Sequence, residues 1–415
     1  MFDAGAHLDS LAPIGWTLGL DRMEALCAEL GRPQDEFESI HVVGTNGKSS
    51  TTRMIAAIAG AHGVSTGCTL SPHLERWTER VMIAGREIAT DRFAAAVERA
   101  VTAAGVVEGG FAEGEFVTQF ELVTAAAYLA LAEAGVDLAV IEAGLGGRLD
   151  ATNSINSRVT VLTSIGIDHT EYLGETRLEI AAEKLAVLRP GTTLVLGDLP
   201  PDAAALADRK AAGLGCRVVR ADRSGGPDPA ERRLNLRGEF QRQNFAVARA
   251  AAEVFLGELD QGRVGDAAAD IENPGRLQQV GEDPPVFVDV AHNRHGAAAL
   301  ARTLPEIAGG RPVVALFGAL ADKDAPGILE ELAPGLQEAV FTELPEKYLT
   351  AWGRPGARSW TAPELCRLAA GAGLACEERA DAVTAFSLAR DRARESGGIV
   401  LVAGSHFLLP ASGLV

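Results

Sequence analysis

Residues 44–50, GTNGKSS, combine glycine, lysine and serine in a pattern that suits phosphate binding. They follow the apolar run SIHVV and precede TTRMIAAIAGA, so they join a predicted strand to a predicted helix. In that setting, backbone N–H groups and the positive end of the helix bind phosphate oxygens. Lys48 is expected along the terminal phosphates of a nucleotide, and Ser49 beside a magnesium ion. The predicted loop consists of Gly44, Thr45, Asn46, Gly47, Lys48, Ser49 and Ser50.

The spacing of this loop differs from the standard phosphate-loop pattern, GxxxxGK[ST]. Gly44 stands only three residues before Gly47. A plain glycine–asparagine turn capped by serines is therefore an alternative, and other parts of the chain must decide between the two.

Three further polar side chains come at the ends of other predicted strands. Ser71 follows STGCTL, Glu142 lies at the end of DLAVIEA, and His169 follows VTVLTSI. The carboxyl ends of strands are where open α/β sheets bind ligands, and these side chains suit magnesium beside a triphosphate. Each also has a plainer alternative: a helix cap at Ser71, a buried salt-bridge partner at Glu142 and a hydrogen-bonded loop histidine at His169.

Short β-rich runs alternate with Ala-rich amphipathic stretches through most of the chain. This alternation predicts an α/β fold of βαβ units, with mainly parallel sheets covered by helices. We place a boundary near IENPGR, which separates an N-terminal P-loop ATP-binding domain, residues 1–272, from a smaller Rossmann-like domain, residues 273–415. The Gly/Pro/charge-rich segment 221–233 is predicted to be a surface loop or hairpin.

The composition indicates a soluble globular protein with a net charge of −18. An acidic balance argues against general nucleic-acid or membrane binding, but it allows a local cationic pocket around a small anion. The first residues lack the basic start and apolar centre of a signal peptide, and we expect a cytoplasmic protein. The five cysteines lack CxxC pairing. We interpret them as small buried residues in a reducing compartment, not as a disulfide framework or zinc site.

Several motifs follow one another in the order typical of one family. After GTNGKSS come SPHLERWTERVMIAGREI, IEAGLGGRLDATN, TSIGIDHTEYLG, EKLAVLRPG, PGRLQ, DVAHNRHGA, FGALADKD and GSHFL. On these motifs the chain resembles the folylpolyglutamate synthase and dihydrofolate synthase family, which belongs to the Mur ligase superfamily. The resemblance spans about positions 15 to 410, nearly the whole chain.

The resemblance implies ATP and two magnesium ions. Ser71 and Glu142 would hold one ion, and Glu142 and His169 the other. Lys184 would carry a carbamate, an N6-carboxylysine formed from its neutral amine and carbon dioxide, and would help to hold the second ion. The chain reads EKLAV here, where the family more often has EKAGI. A solvated helix lysine is the alternative for Lys184.

The resemblance also implies the remaining contacts of the nucleotide and the substrates. It puts Asn244 near the adenine, Arg276 at the phosphates, Asp289 at the ribose hydroxyls, and His292 and Ser405 near the nucleotide or the incoming amino acid. The positions that match the pterin-binding residues are Leu18, Gly19, Gln119, Phe120 and Glu121, for which ordinary loop and helix-start residues are the alternative. Thr17 stands where bifunctional members often have aspartate.

The resemblance therefore predicts an ATP-dependent ligase that adds L-glutamate to a folate, to dihydropteroate, or to both. The acceptor carboxylate would first be phosphorylated, and the glutamate amine would then displace phosphate. The expected partners are small molecules only, with no nucleic acid and no membrane, and we expect a monomer. Two alternatives stay open: a Mur-superfamily amino-acid ligase with another carboxylate acceptor, and a P-loop ATPase switch.

Overall fold

The computed structural model describes residues 2–11, 17–221, 229–350 and 356–414. The chain falls into two compact units. The first unit comprises Met1–Asn235 and Arg242–Ile271, and the second comprises Leu236–Gln241 and Glu272–Val415. No described helix combines the length and apolar character that a membrane span requires.

The first unit contains one eight-stranded sheet. Its strands are β1 Glu38–Val43, β2 Thr66–Thr69, β3 Val81–Ile83, β4 Arg86–Glu87, β5 Leu138–Glu142, β6 Val159–Leu162, β7 Thr193–Leu196 and β8 Arg217–Arg220. They lie in the order β4-β3-β2-β5-β1-β6-β7-β8. The pairs β2–β3 and β3–β4 are antiparallel, and the other pairs are parallel.

Among the described residues, ten α-helices precede the strands of the second unit along the chain. They are α1 Ala4–Ser10, α2 Asp21–Glu29, α3 Lys48–Ala61, α4 Thr90–Val107, α5 Gln119–Glu133, α6 Thr170–Leu173, α7 Arg177–Lys184, α8 Pro201–Gly213, α9 Glu239–Leu256 and α10 Gln261–Asp270. Helix α5 packs against α4, α2, β2 and β3, and it is buried around nearly its whole circumference. That explains its almost uniformly apolar sequence.

The second unit contains a six-stranded sheet. Its strands are β9 Arg276–Glu282, β10 Pro285–Asp289, β11 Val313–Phe317, β12 Glu338–Phe341, β13 Ala375–Glu378 and β14 Ile399–Ala403, in the order β13-β12-β11-β14-β10-β9. Only β9–β10 is antiparallel among these pairs. The helices that follow are α11 Arg294–Ala308, α12 Ala325–Leu332, α13 Glu346–Thr350, α14 Ala362–Gly371, α15 Ala382–Ser396 and α16 Leu408–Ala411.

The predicted α/β class with mainly parallel sheets is confirmed. The predicted strand runs SIHVV, STGCTL, DLAVIEA and VTVLTSI correspond to β1, β2, β5 and β6. The strands that the pattern did not indicate lie towards sheet edges. β8 and β13 are edge strands with exposed ends and polar termini, RVVR and ACEE. A half-exposed edge strand needs no continuous apolar run, so its sequence resembles a loop. Most of the predicted loop 221–233 lies outside the described residues.

The interpretation of the cysteines is wrong for two of the five. Cys366 in α14 and Cys376 in β13 form a disulfide. The tertiary fold sets the middle of α14 beside β13, which the spacing of the cysteines does not show. Cys27 and Cys68 are buried as expected, whereas Cys216 is half-buried.

Candidate active site

The loop of residues 44–50 connects β1 directly to α3 and requires glycine at two positions. Gly47 has a φ of 83°, a left-handed conformation that L residues with side chains rarely adopt. A Cβ atom at Gly47 would also collide with the side-chain oxygen of Asn244, and one at Gly44 with the hydroxyl of Thr163. The backbone is therefore closely approached from two sides, and Asn244 lies against the phosphate loop.

A second segment, residues 163–166, holds this loop in place. Asn46 N donates to Ser164 Oγ at 3.0 Å, and Thr163 Oγ1 donates to Asn46 O at 2.7 Å. Thr45 N donates to Ser164 O at 2.9 Å, and Thr45 Oγ1 to Gly166 O at 3.1 Å. These bonds pre-organise the loop, a role that the sequence analysis did not assign to the TSIG motif.

Lys48 is the first residue of α3, and its ammonium folds back over the loop. Its Nζ donates to Gly44 O at 3.1 Å and to Thr45 O at 3.2 Å. The next residue, Ser49, faces β5, and Ser50 is buried in the first turn of the helix. A cation, a hydroxyl and a helix N-terminus therefore meet at one place, as phosphate binding requires.

Glu142 joins three segments at the carboxyl end of the sheet. Its Oε1 accepts a hydrogen bond from Ser49 Oγ at 2.9 Å, and its Oε2 accepts one from Ser71 N at 3.0 Å. Only 3% of the residue is exposed. Ile141 packs in the core that contains α5, so side-chain alternation directs Glu142 to the opposite face of β5. The Glu142 carboxylate and the Ser49 hydroxyl are oxygen groups of the kind that Mg²⁺ prefers.

Arg80 adds a positive charge near this carboxylate, a feature that the sequence analysis missed. Burial lowers the pKa of Arg80 to about 10, while the charges of Glu142 and Glu79 act in the opposite direction. Its Nε donates to His73 Nδ1 at 2.9 Å, and its guanidinium lies 4.5 Å from the Trp77 ring centroid. The SPHLERWTER motif therefore brings an arginine close to the carboxylate at the end of β5.

His169 follows β6 and begins α6 in a left-handed conformation, with a φ of 52°. Such a backbone is costly for a residue with a side chain, and residues of this kind cluster at functional sites. Asp168 Oδ1 accepts the backbone N–H of His169 at 2.9 Å, and its Oδ2 lies 3.8 Å from His169 Nε2. The imidazole is therefore oriented beside a carboxylate.

Lys184 is the last residue of α7 and is 4% exposed. Its pKa is lowered from 10.5 to about 7, mainly by burial and next by the charge of Lys48. Asp168, Asp150 and Glu183 act in the opposite direction. The alternative of a solvated helix lysine is therefore excluded, because this amine is desolvated and largely able to lose its proton at neutral pH.

The glycine-rich loop after Glu142 packs on the end of α7. A Cβ atom at Gly147 would lie 2.9 Å from Lys184 O, and one at Gly146 would lie 2.7 Å from a methyl of Leu173. Arg148 N donates to Glu183 O at 3.1 Å, and the side chains of Arg148 and Glu183 pair at 2.9 Å. The loop thus fixes the position of Lys184 relative to the strand that carries Glu142.

The five residues that match pterin-binding positions have different roles in the fold. Gln119 Nε2 donates to Leu8 O at 2.7 Å, and Glu121 forms a buried ion pair with Arg22 at 2.9 Å. The ring of Phe120 packs on the backbone of Gly144. By contrast, Leu18 is 37% exposed, and the adjacent Gly19 is partly exposed.

In the second unit, the candidate nucleotide-binding and amino-acid-binding residues lie around the carboxyl end of β10. Arg276 and Asp289 are partners in the β9–β10 ladder. Burial raises the pKa of Asp289, while the charge of Arg276 acts to lower it, and Ala291 N donates to Asp289 Oδ1 at 2.8 Å. His292 Nδ1 lies 2.9 Å from Val290 O, so this nitrogen carries the proton and donates.

Ser405 lies just beyond β14, the strand next to β10. It is 2% exposed, and its hydroxyl accepts a hydrogen bond from Phe407 N at 3.3 Å. Gly404 N donates to Ala291 O at 3.1 Å, so the two strand-end loops are joined. Arg276, Asp289, His292 and Ser405 therefore belong to one edge of the second sheet.

Comparison with known protein families agrees with the fold and with these strand-end groups. The Mur ligase middle domain matches residues 42–246, and the Mur ligase glutamate ligase domain matches residues 275–406. A dihydrofolate synthase/folylpolyglutamate synthase of Mycobacterium tuberculosis is 36% identical over 359 residues, which cover 78% of this chain and 74% of the relative.

Solved structures show the same relationship. A Mycobacterium tuberculosis folylpolyglutamate synthase complexed with ADP has a TM-score of 0.89 and 31% identity, covering 99% of this chain and 97% of that one. A bifunctional folylpolyglutamate synthase/dihydrofolate synthase from Yersinia pestis, complexed with AMPPNP and an Mn ion, has a TM-score of 0.79 and 29% identity. The alignment with it covers 96% of this chain and 93% of that one.

The two domains and the strand-end site define a Mur ligase-type, ATP-dependent ligase that uses a divalent metal. More narrowly, the chain belongs to the folylpolyglutamate synthase/dihydrofolate synthase family of ADP-forming ligases.

Proposed function

We propose that this protein joins L-glutamate to the carboxylate of a folate or of dihydropteroate at the expense of ATP. The observation that carries the proposal is the Glu142 group: a carboxylate on β5 bonded both to Ser49 of the phosphate loop and to the backbone of Ser71. A carboxylate and a hydroxyl beside a phosphate loop are oxygen groups of the kind that magnesium prefers, and they support the proposal. The names of the relatives supply the class of acceptor.

The reaction proceeds in two steps on one carboxylate. An acceptor carboxylate oxygen attacks the γ-phosphorus, ADP leaves, and an acyl phosphate forms. The glutamate amine then attacks the acyl carbon, phosphate leaves and an amide remains. Lys48 and the amides of the loop stabilise charge on the transferring phosphoryl group. In the second unit, we assign Arg276 to phosphate oxygens and Asp289 to the ribose hydroxyls. We assign His292 and Ser405 to the nucleotide or the incoming amino acid.

Two magnesium ions complete the proposal. Ser71 and Glu142 would hold one, and Glu142, His169 and a carbamylated Lys184 would hold the other. When bound, the ions reduce the repulsion between the triphosphate and the anionic acceptor. The lowered pKa of Lys184 supports the carbamate, because only a neutral amine reacts with carbon dioxide.

The test is ADP release with ATP, magnesium and glutamate, with either dihydropteroate or tetrahydrofolate as the acceptor. Turnover that requires both glutamate and one of these acceptors supports the proposal. Turnover only with a different carboxylate from a panel of acceptors would assign the chain to another ligase activity. ATP hydrolysis that needs no amino acid and is undiminished in Arg276→Ala would favour an ATPase switch.

Gly144→Ala is expected to raise the KM for the acceptor about 10-fold or more, because the new methyl group would displace the ring of Phe120. The KM for ATP should change little, since this ring is assigned to the acceptor and not to the nucleotide. Steady-state kinetics with each substrate varied in turn measure both values. Gly105→Ala in α4 is the matched control, because a Cβ there meets nothing within 4 Å. Equal increases in the KM for ATP and in the KM for the acceptor would contradict the assignment of Phe120 to the acceptor.

A further inference from the structure

A buried arginine on α2 connects two of the segments assigned to the acceptor. Arg22 is 8% exposed and Glu121 is 3% exposed. The Arg22 Nε donates to Glu121 Oε2 at 3.2 Å, and its Nη2 lies 2.9 Å from Glu121 Oε1. A planar guanidinium that contacts both oxygens of a carboxylate fixes the relative position of the two side chains.

The same guanidinium also holds the segment Thr17–Gly19. Arg22 Nη2 donates to Thr17 O at 2.6 Å. A Cβ atom at Gly19 would lie 3.6 Å from Arg22 Nη1, so the backbone of this segment passes directly along the guanidinium. The bond is made by the carbonyl of Thr17, whose side chain is exposed and has no part in it.

On the other side, Glu121 ties this arrangement to the start of α5. Its Oε2 accepts the backbone N–H of Thr118 at 2.8 Å, while Thr118 Oγ1 accepts the N–H of Glu121 at 3.2 Å. Phe120 lies within this capped turn, and its ring packs on Gly144, two residues beyond Glu142. A continuous chain of contacts therefore runs from Thr17 through Arg22 to the strand that carries the metal carboxylate.

We propose that Arg22 is a positioning residue for the acceptor: it sets the distance between the segment Thr17–Gly19 and Phe120, between which the heterocycle binds. Glu121 holds the guanidinium. The heterocycle then contacts Leu18, the ring of Phe120 and the backbone of the segment. This inference rests on the proposed function, since it concerns the acceptor of that reaction.

The test compares Arg22→Lys and Arg22→Met with the wild type in KM for tetrahydrofolate or dihydropteroate, KM for ATP, KM for glutamate and kcat. Lysine keeps the charge but cannot bond Glu121 and Thr17 together in the same plane. Both variants are expected to raise the KM for the acceptor about 10- to 100-fold, with smaller changes in the other constants. Arg99→Met is the matched control. Arg99 lies on α4 and pairs with Glu133, which is at the opposite end of α5 from Glu121.

Direct binding separates positioning from general damage to the fold. Calorimetry should show weaker binding of the acceptor to Arg22→Lys and unchanged binding of ADP. Glu121→Gln, which keeps the shape of the side chain, is expected to change acceptor binding in the same direction and provides a second test if Arg22→Met does not fold. An unchanged KM for the acceptor in Arg22→Lys and Glu121→Gln, or equal losses for acceptor and ADP, would overturn the inference. A wild-type protein that turns over without any folate or dihydropteroate would instead refute the proposed function.

Discussion

Replacing Glu142 by glutamine is expected to lower ADP release by about 10²–10³-fold with either acceptor. The amide cannot supply the negative charge that a divalent cation needs in a buried site. It also has only one accepting atom, whereas both oxygens of Glu142 now accept, from Ser49 Oγ and from Ser71 N. Its NH2 group would face either Ser71 N, which cannot accept, or Ser49 Oγ, which would then have to accept instead of donating.

A coupled assay of ADP release, repeated over a range of magnesium concentrations, measures this effect. Loss of metal binding should appear as a weaker response to magnesium, while thermal unfolding of the variant stays close to that of the wild type. Glu133→Gln provides a control, since Glu133 is exposed at the end of α5. Full activity in Glu142→Gln would refute the metal role of this residue.

Removing carbon dioxide from the buffers is expected to inactivate the protein by about 10²-fold, the size of effect that follows loss of one charge-stabilising group. Lys184 has its pKa lowered to about 7, mainly by burial and next by Lys48. Its amine is therefore neutral above about pH 7 and protonated below it. Because a carbamate forms only from the neutral amine, activity at a fixed low bicarbonate concentration should fall as the pH drops through 7.

Added bicarbonate should restore the activity of the wild type but not that of Lys184→Met. Carbon-13 NMR after incubation with labelled bicarbonate should show a carbamate signal that is absent from Lys184→Met. Lys210→Met is the matched control. Lys210 lies on α8, and its Nζ donates at 2.8 Å to Ala182 O of α7, the helix that carries Lys184. Activity that is indifferent to carbon dioxide, with no signal that depends on Lys184, would rule out the carbamate.

The central part of the site could be predicted from sequence for two physical reasons. A glycine-rich turn between strand and helix can do little except expose backbone amides near a helix N-terminus. Polar residues at the ends of parallel strands also meet at one edge of the sheet, whatever the exact strand order. These two rules predict that Lys48, Ser49, Ser71 and Glu142 lie close together, and the hydrogen bonds of Glu142 join three of the four.

Other features could not be predicted, because they depend on partners from distant segments. Nothing near Glu121 indicates that its carboxylate is occupied, since Arg22 lies 99 positions earlier in the chain. The hydrogen bonds that hold the phosphate loop come from Thr163 and Ser164, which are separated from Asn46 by 117 and 118 positions. The disulfide between Cys366 and Cys376 joins positions only ten apart, but it depends on how β13 packs against α14.

The α/β class, the central strands, the phosphate loop and the family could all be predicted from the sequence. These depend on local periodicity, on glycine geometry and on motif order, all of which are properties of short stretches of chain. Which polar groups can meet a ligand, and which are already bonded within the protein, depends on contacts that form only in the folded chain. A hydrogen bond needs its partner within about 3 Å, and for Gln119, Glu121 and Asn46 that partner comes from another element of the fold.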